Sequence, residues 1–354
     1  MSKLRLTEDR VSVPVAQARA CAIQILLSGG CDTERAEAIA DHLTDAELCG
    51  VESHGLMRAL QYRDEFRRGY LVANVAPEVN MGPGATVHVD GRGGIGILAL
   101  KAGTEAGIRA ARSFGVAAVA VRNTGHTGRL GAFAEHAAQA GCLFIACGGG
   151  ARERWRMVAP HGGSKAVLPT NPWCLGIPGG AHGPVVLDCA TGQIAGGWIY
   201  AARRAGATLP EGSVLDRDGR PTTDPADYFD GGAILPKGGA LGYGLATMGE
   251  LICDAMLGPA RVECNTFILV VDSARYRDAG PMQHAAEAIL SELRNCPPAE
   301  GFDRVEVCGE REAMQRKGRV TVELPARTWD ALQDAAQDQA KGSSETSPDR
   351  TIPS

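Results

Sequence analysis

Within ESHGLMR, residues 52–58, the imidazole of His54 and the guanidinium of Arg58 stand four positions apart. Four positions is about one helical turn, so the two groups leave one side of a short element. An apolar run ending in AELCG precedes them. Imidazole is the side chain whose ordinary charge change falls near neutral pH. Guanidinium offers a planar fork that matches carboxylates and phosphates. Together they could move a proton beside a bound anion. The bland alternative is a helix end capped by Ser53.

Other stretches could also do chemistry. RNTGHTGRLGAF places His126 in a glycine-flanked loop between an apolar strand and a helix, a usual place for function. A lone histidine there reads more readily as a surface residue. LPTNPW presents Thr170 and Asn171 in a rigid turn before Pro172. Asp188 ends the apolar run PVVLD, where a carboxylate needs a cation or a hydrogen-bond donor. ILPKGGALGYGLA carries glycines at 238, 239, 242 and 244 ahead of a helix, which allows a phosphate to approach a helix N-terminus. VCGEREA supplies Gly309, Glu310 and Arg311 in a charged turn. GRGGIG, residues 91–96, has the spacing of a dinucleotide-binding loop and lies between a strand and a helix. The next strand, GVAAVAVRN, ends without the acidic residue that would hold a ribose, and a plain glycine turn reads better.

These residues need elements to position them. Apolar spacing near 3.6 predicts helices within residues 14–50, broken at Gly29-Gly30 and restarted by an Asp32 cap. ALQYRDEFRRGY predicts a third helix. The pattern then changes to short apolar strands (ATVHVD, GVAAVAVRN, CLFIACGGG, PVVLDC, NTFILVVD) alternating with helices. Residues 203–240 are turn-rich, and PMQHAAEAILSELRNC predicts a late helix. The class is α/β or α+β with a helical N-terminal part. The expected division is a helical region at 1–80 carrying the SHG motif and a cofactor-sized domain at 81–285. A helical and strand segment at 286–339 packs on the N-terminal region, and a disordered tail fills 340–354.

Bulk properties narrow the class of protein. Hydrophobic residues make up 44% of 354 and charged residues 22%, as in globular chains. The 46 glycines are roughly twice the usual share and point to tight turns or close backbone approach to a ligand. A net charge of −5 and no basic patch argue against nucleic acid. No apolar window reaches membrane-spanning length, and MSKLRLTEDR lacks the apolar core of a signal peptide. Eleven cysteines, scattered without ligand spacing, read as reduced thiols of a cytosolic protein with no structural metal.

ESHGLMR, RNTGHTGRLGAF, LPTNPW, VLDCATG, LPEGSVLDRDGRPTTDP, LPKGGALGYGLA and VCGEREA follow one another between about residues 11 and 335. In that order they resemble the type 2 malate/L-lactate dehydrogenase family, which includes ureidoglycolate dehydrogenase, diketogulonate reductase and piperideine-2-carboxylate reductase. The resemblance implies an α/β fold outside the Rossmann class: a cofactor domain on a mostly antiparallel sheet, beside a helical domain built from the N-terminal region and later chain. It implies a homodimer in which GRGGIG is a decoy. It also implies NAD- or NADP-dependent hydride transfer to or from a small 2-oxo, 2-hydroxy or cyclic 2-imino acid.

That reaction gives the residues roles. Arg58 suits bidentate capture of the substrate carboxylate, and His54 suits exchange of the carbonyl oxygen's proton. Asp188 could fix the tautomer of a histidine. His126 is the second acid–base candidate. Cofactor contacts carried over from the resemblance are Gly148, Gly149, Thr170, Asn171, Asp188, Cys189, Ala190, Thr191, Leu241, Gly309 and Glu310. Arg122, Arg152 and Arg154 are candidates to meet a 2′-phosphate. Two departures stand out. Ala240 and Leu241 occupy the places of a common His-Lys pair, with Lys237 the nearest replacement cation. Gly192 stands where many members have serine. The rivals are a Rossmann-type reductase using GRGGIG and a family member that has lost catalysis and binds instead.

Overall fold

The computed structural model describes residues 9–342, apart from the side chains of Arg204 and of residues 338–342. The described residues begin with β1 (Arg10–Pro14), α1 (Val15–Ser28), α2 (Thr33–Leu48), a 3-10 turn at Glu52–His54 and α3 (Arg58–Arg67). Then come β2 (Glu78–Met81), β3 (Thr86–Asp90), α4 (Gly96–Phe114), β4 (Val116–Thr124), α5 (Leu130–Gln139) and β5 (Cys142–Gly149). They are followed by β6 (Trp173–Ile177), β7 (Val185–Cys189), α6 (Gly196–Ala205), β8 (Val214–Leu215), β9 (Pro221–Thr222), α7 (Pro225–Phe229) and β10 (Ala233–Ile234). The last elements are α8 (Ala240–Glu250) with a π-helical turn at Leu251–Met256, β11 (Cys264–Asp272), α9 (Ala279–Arg294), α10 (Glu310–Arg316), β12 (Thr321–Pro325) and α11 (Ala326–Gly342).

Two compact units result. Among the described residues, the larger holds 75–314 and the smaller holds 9–74 with 315–342. In the smaller unit β1 pairs antiparallel with β12 along Arg10–Pro14 and Thr321–Pro325. This ladder joins chain segments about 300 residues apart, which no local pattern announces. Helix α1 packs on α2, α3 and α11. Ile25, Leu26, Ile39, Leu43, Leu56 and Tyr62 form a fully buried core there. The Asp32 cap forms as expected, its side chain accepting the Arg35 N–H at 2.9 Å. The segment expected at 286–339 divides: α9 and α10 up to Met314 cluster with the larger unit, and residues 315–339 with the smaller. Of the tail expected to be disordered at 340–354, residues 340–342 belong to α11 and the rest lies outside the described residues.

The larger unit is built on a seven-stranded sheet, ordered β2-β3-β4-β11-β5-β6-β7. Five of its six strand pairs are antiparallel; β3 and β4 alone run parallel, joined by α4. The central strands are Val-, Ile- and Ala-rich and buried where helices cover them. Gly107 of α4 lets that helix lie close on the sheet, since a Cβ there would meet Val119 at 2.9 Å. The mostly antiparallel expectation is therefore met.

The GRGGIG loop is a strand–turn–helix crossover, yet its amides are spent on the chain itself. Gly91 N–H donates to Arg122 O, Gly93 N–H to Asn123 O and Gly96 N–H to His126 O, at 2.8, 2.9 and 3.0 Å. Donors that would cradle a pyrophosphate instead close the loop onto the end of β4, which removes the basis of the Rossmann-type reading.

Candidate active site

In the smaller unit, α2 ends at Leu48 and the chain turns through Gly50 before the short 3-10 helix. His54 N–H donates to Val51 O and Gly55 N–H to Glu52 O. The Ser53 hydroxyl and His54 Nδ1 are 2.9 Å apart. Arg58 opens α3 and folds back, its Nε donating to Ser53 O at 2.6 Å. Arg58 Nη1 donates to Gln61 Oε1, and Gln61 Nε2 donates to Glu65 Oε1 at 2.8 Å. One residue, Ser53, thus tethers both His54 and Arg58, through its hydroxyl and its carbonyl. Among the described residues no protein group accepts from Arg58 Nη2, so the outer edge of the fork is available to an anion.

Glu47 and Glu65 lie beneath this turn, and both are buried. Glu47 Oε2 accepts the Leu56 N–H at 2.9 Å. Burial pushes the Glu47 carboxyl up to about 7, with Glu52 adding to the rise, while the Leu56 N–H and Arg10 oppose it. Burial also raises Glu65, against the Gln61 hydrogen bond. Neither residue could be recognised from the sequence, because each reads as a solvent-facing helical carboxylate.

The raised Glu47 pKa has a stability consequence. Between its ordinary value and about 7, the folded chain holds a proton at Glu47 that the unfolded chain releases. Stability from this group therefore falls as pH rises through that window, by at most about 3.5 kcal/mol at ~1.4 kcal/mol per unit. Glu47→Gln removes the cost. Its melting temperature should gain on the wild type from weakly acidic to weakly alkaline pH; a gain that shrinks instead would contradict the burial.

In the larger unit Asp188 ends β7 on the edge of the sheet. Its hydrogen-bond partner is not a histidine but the Gly131 N–H at the start of α5, whose donor lies 2.6 Å from Oδ2. Its residue surface is open, yet the carboxyl sits in a crowded surrounding. Desolvation raises its pKa, opposed by Gly131 N–H and by Arg129. Arg129 is itself buried and paired with Glu135 at 3.0 Å. His126 lies in the loop before α5 and is partly buried. Its Nδ1 accepts the Gly128 N–H at 3.2 Å.

Most of the expected cofactor residues of this unit do come together. Thr191 N–H and Oγ1–H both donate to Thr170 O, at 2.9 and 2.8 Å. Lys237 N–H donates to Thr191 O at 2.8 Å, and Gly242 N–H to Lys237 O at 2.9 Å. The turn after Asp188, with Cys189 and Ala190, is thereby bonded to the LPTNP turn and to the start of α8. Gly238 and Gly239 both take φ 62°, a conformation that favours glycine. A Cβ on Gly244 would meet nothing, and Leu241 is 70% exposed. This helix start faces solvent, but the Leu241, Gly242 and Tyr243 N–H groups donate to Gly238, Lys237 and Gly239 O, so its side chains and glycine surface, more than its amides, are what it offers a ligand. Lys237 lies near enough to oppose the desolvation that raises the Cys189 thiol. It keeps a cation at this loop although Leu241 carries none.

Gly148 and Gly149 have a different setting. Gly148 N–H donates to Pro172 O at 3.0 Å, and Gly148 O accepts Asn171 Nδ2 at 3.2 Å. Asn171 is fully buried at φ 29° and its Nδ2 also donates to Glu250 Oε1 at 2.7 Å. A Cβ on Gly149 would lie 2.8 Å from Glu250 Oε1 and 3.0 Å from Gly249 O. Gly149 thus makes room for an Asn171–Glu250 brace that holds the LPTNP turn, and Gly148 makes room for Pro172. Gly149→Ala should cost about 2 kcal/mol by overpacking, read as a lower denaturant midpoint; an unchanged midpoint would show that the brace gives way. Gly309, at φ 85°, packs against Val186 of β7. The Glu310 carboxylate is committed to Arg294 at 2.6 Å. Gly192 has no such excuse in φ, but a Cβ there would press on Ile234 at 3.3 Å.

Comparison with known proteins bears on the family and the fold. The malate/L-lactate dehydrogenase family model matches residues 13–333. An L-lactate dehydrogenase of Cupriavidus necator is 31% identical over 92% of this chain and 97% of its own. A Delta(1)-pyrroline-2-carboxylate/Delta(1)-piperideine-2-carboxylate reductase of Pseudomonas putida is 34% identical over 71% of this chain and 73% of its own. The structure of a putative malate/lactate dehydrogenase from E. coli superposes with a TM-score of 0.85 at 28% identity, covering 95% of this chain and all of that one. The chain belongs to the malate/L-lactate dehydrogenase family.

Proposed function

We propose that this protein is a cytosolic, homodimeric NAD- or NADP-dependent oxidoreductase acting on a small 2-oxo or 2-hydroxy acid. The observation that carries the proposal is the pair His54 and Arg58, both tethered to Ser53 with the Arg58 fork open at Nη2. Arg58 binds the substrate carboxylate through that fork. His54 gives the proton to the carbonyl oxygen on reduction and takes it back on oxidation. When bound, the nicotinamide supplies or accepts the hydride. The chain's own residues then have to hold it: Thr170, the turn from Asp188 to Thr191 and the glycine start of α8, with Lys237 as the cation. We assign Gly148, Gly149 and Asn171 to bracing that surface rather than to touching the cofactor. Asp188 and His126 are the acid–base candidates of the larger unit.

The exposed apolar residues Leu175, Ile177 and Leu187 on the outer strands β6 and β7 support a dimer. Among the described residues no helix is long and apolar enough to cross a membrane. A second reading, reduction of a cyclic 2-imino acid, is favoured by the Pseudomonas putida relative. Arg58 would hold its carboxylate in the same way. Titration with NADH and with NADPH, followed by nicotinamide fluorescence, tests the proposal. Saturable binding of one of them is expected; binding of neither would favour a chain that has lost catalysis.

A further inference from the structure

We propose that Glu47 is the positioning residue of the turn that carries His54 and Arg58, its carboxyl filling the space beside Gly55 and holding the Leu56 N–H. This rests on the assignment of His54 and Arg58 to the reaction. A Cβ on Gly55 would overlap Glu47 Oε2 and lie 2.9 Å from Glu47 Cδ. The glycine of the SHG motif is thus where the carboxyl enters, between the two functional side chains in sequence. The Leu56 N–H it accepts lies two residues after His54 and two before Arg58.

A residue placed only for packing would not be an acid here. Glu47 is 5% exposed. It sits in the last turn of α2, where the helix dipole disfavours an anion. The charged groups bearing on it are Glu52 from the 3-10 turn, which repels it, and Arg10 from β1, which is shared with Glu52 at 2.6 Å. The bond to Leu56 offsets part of these costs. That bond is charge-assisted when the carboxyl is ionised and weaker when it is protonated. Its ionisation falls near neutrality. The grip on the turn therefore tightens as pH rises through about 7.

The test uses the whole protein labelled with 15N-leucine. The Leu56 amide should shift across the neutral range in the wild type and in His54→Ala, and stay flat in Glu47→Gln. A shift that disappears in His54→Ala would belong to the imidazole and overturn the proposal, as would an amide that never shifts. In turnover, Glu47→Ala should lower kcat/KM by about tenfold or more, the scale of one charge-assisted hydrogen bond. Glu47→Gln, whose amide oxygen can still accept the N–H, should recover most of that loss but not the wild-type pH profile. A folded Glu47→Ala with kcat/KM within about twofold of the wild type would also overturn it. Absence of turnover in the wild type speaks against the enzyme reading instead, and the Leu56 amide separates the two failures.

Discussion

His54→Ala is expected to lower kcat by a factor of about 10² or more, the usual contribution of a general acid–base group. The fold should survive, because His54 is only partly buried and the turn is held by backbone bonds from Val51 and Glu52 and by Glu47 under Leu56. The effect should fall on kcat rather than on KM, since the imidazole moves a proton and Arg58 holds the carboxylate. Steady-state kinetics with the best substrate, beside a melting curve, reads this directly. His126→Ala is the control. If it abolishes turnover while His54→Ala does not, proton transfer belongs to the larger unit, where Nδ1 of His126 is already fixed by Gly128.

Arg58→Lys should raise KM for the carboxylate substrate by about tenfold or more, with a smaller change in kcat. Arg58 does three things at once: Nε reaches Ser53 O, Nη1 reaches Gln61, and Nη2 faces outward. An ammonium has no planar fork and cannot keep both tethers while presenting two parallel donors. Leaving Gln61 without the arginine also loosens the chain of bonds to buried Glu65. A KM within twofold of the wild type would remove Arg58 from substrate binding and leave it a structural residue at the start of α3.

The sequence carried much of this because the functional residues sit in short motifs with strong local signals. ESHGLMR, LPTNPW and LPKGGALGYG each mark a turn, and their order along the chain resembles one family. The class of sheet followed from that resemblance, not from periodicity, which left α/β and α+β open. Other features depend on contacts that no local pattern records. The β1–β12 ladder joins the two ends of the described chain. Glu47 and Glu250 look like ordinary helical carboxylates until the missing side chains of Gly55 and Gly149 show where each carboxyl goes. GRGGIG erred in the other direction. Its strand–turn–helix setting could be read, but not that its amides donate to residues 122, 123 and 126. Chemistry alone suggests that Asp188 could orient a histidine, whereas the partner it has is the Gly131 N–H at the start of α5.

The most direct measurement is oxidation of NADH and of NADPH in the presence of a panel of small acids: pyruvate, oxaloacetate, hydroxyphenylpyruvate, diketogulonate and piperideine-2-carboxylate. Cofactor oxidation that depends on one of these acids, is lost in His54→Ala, and needs a higher acid concentration in Arg58→Lys is the predicted result. Oxidation unaffected by both substitutions, or no oxidation with any member of the panel despite cofactor binding, would contradict a reaction carried by the SHG turn.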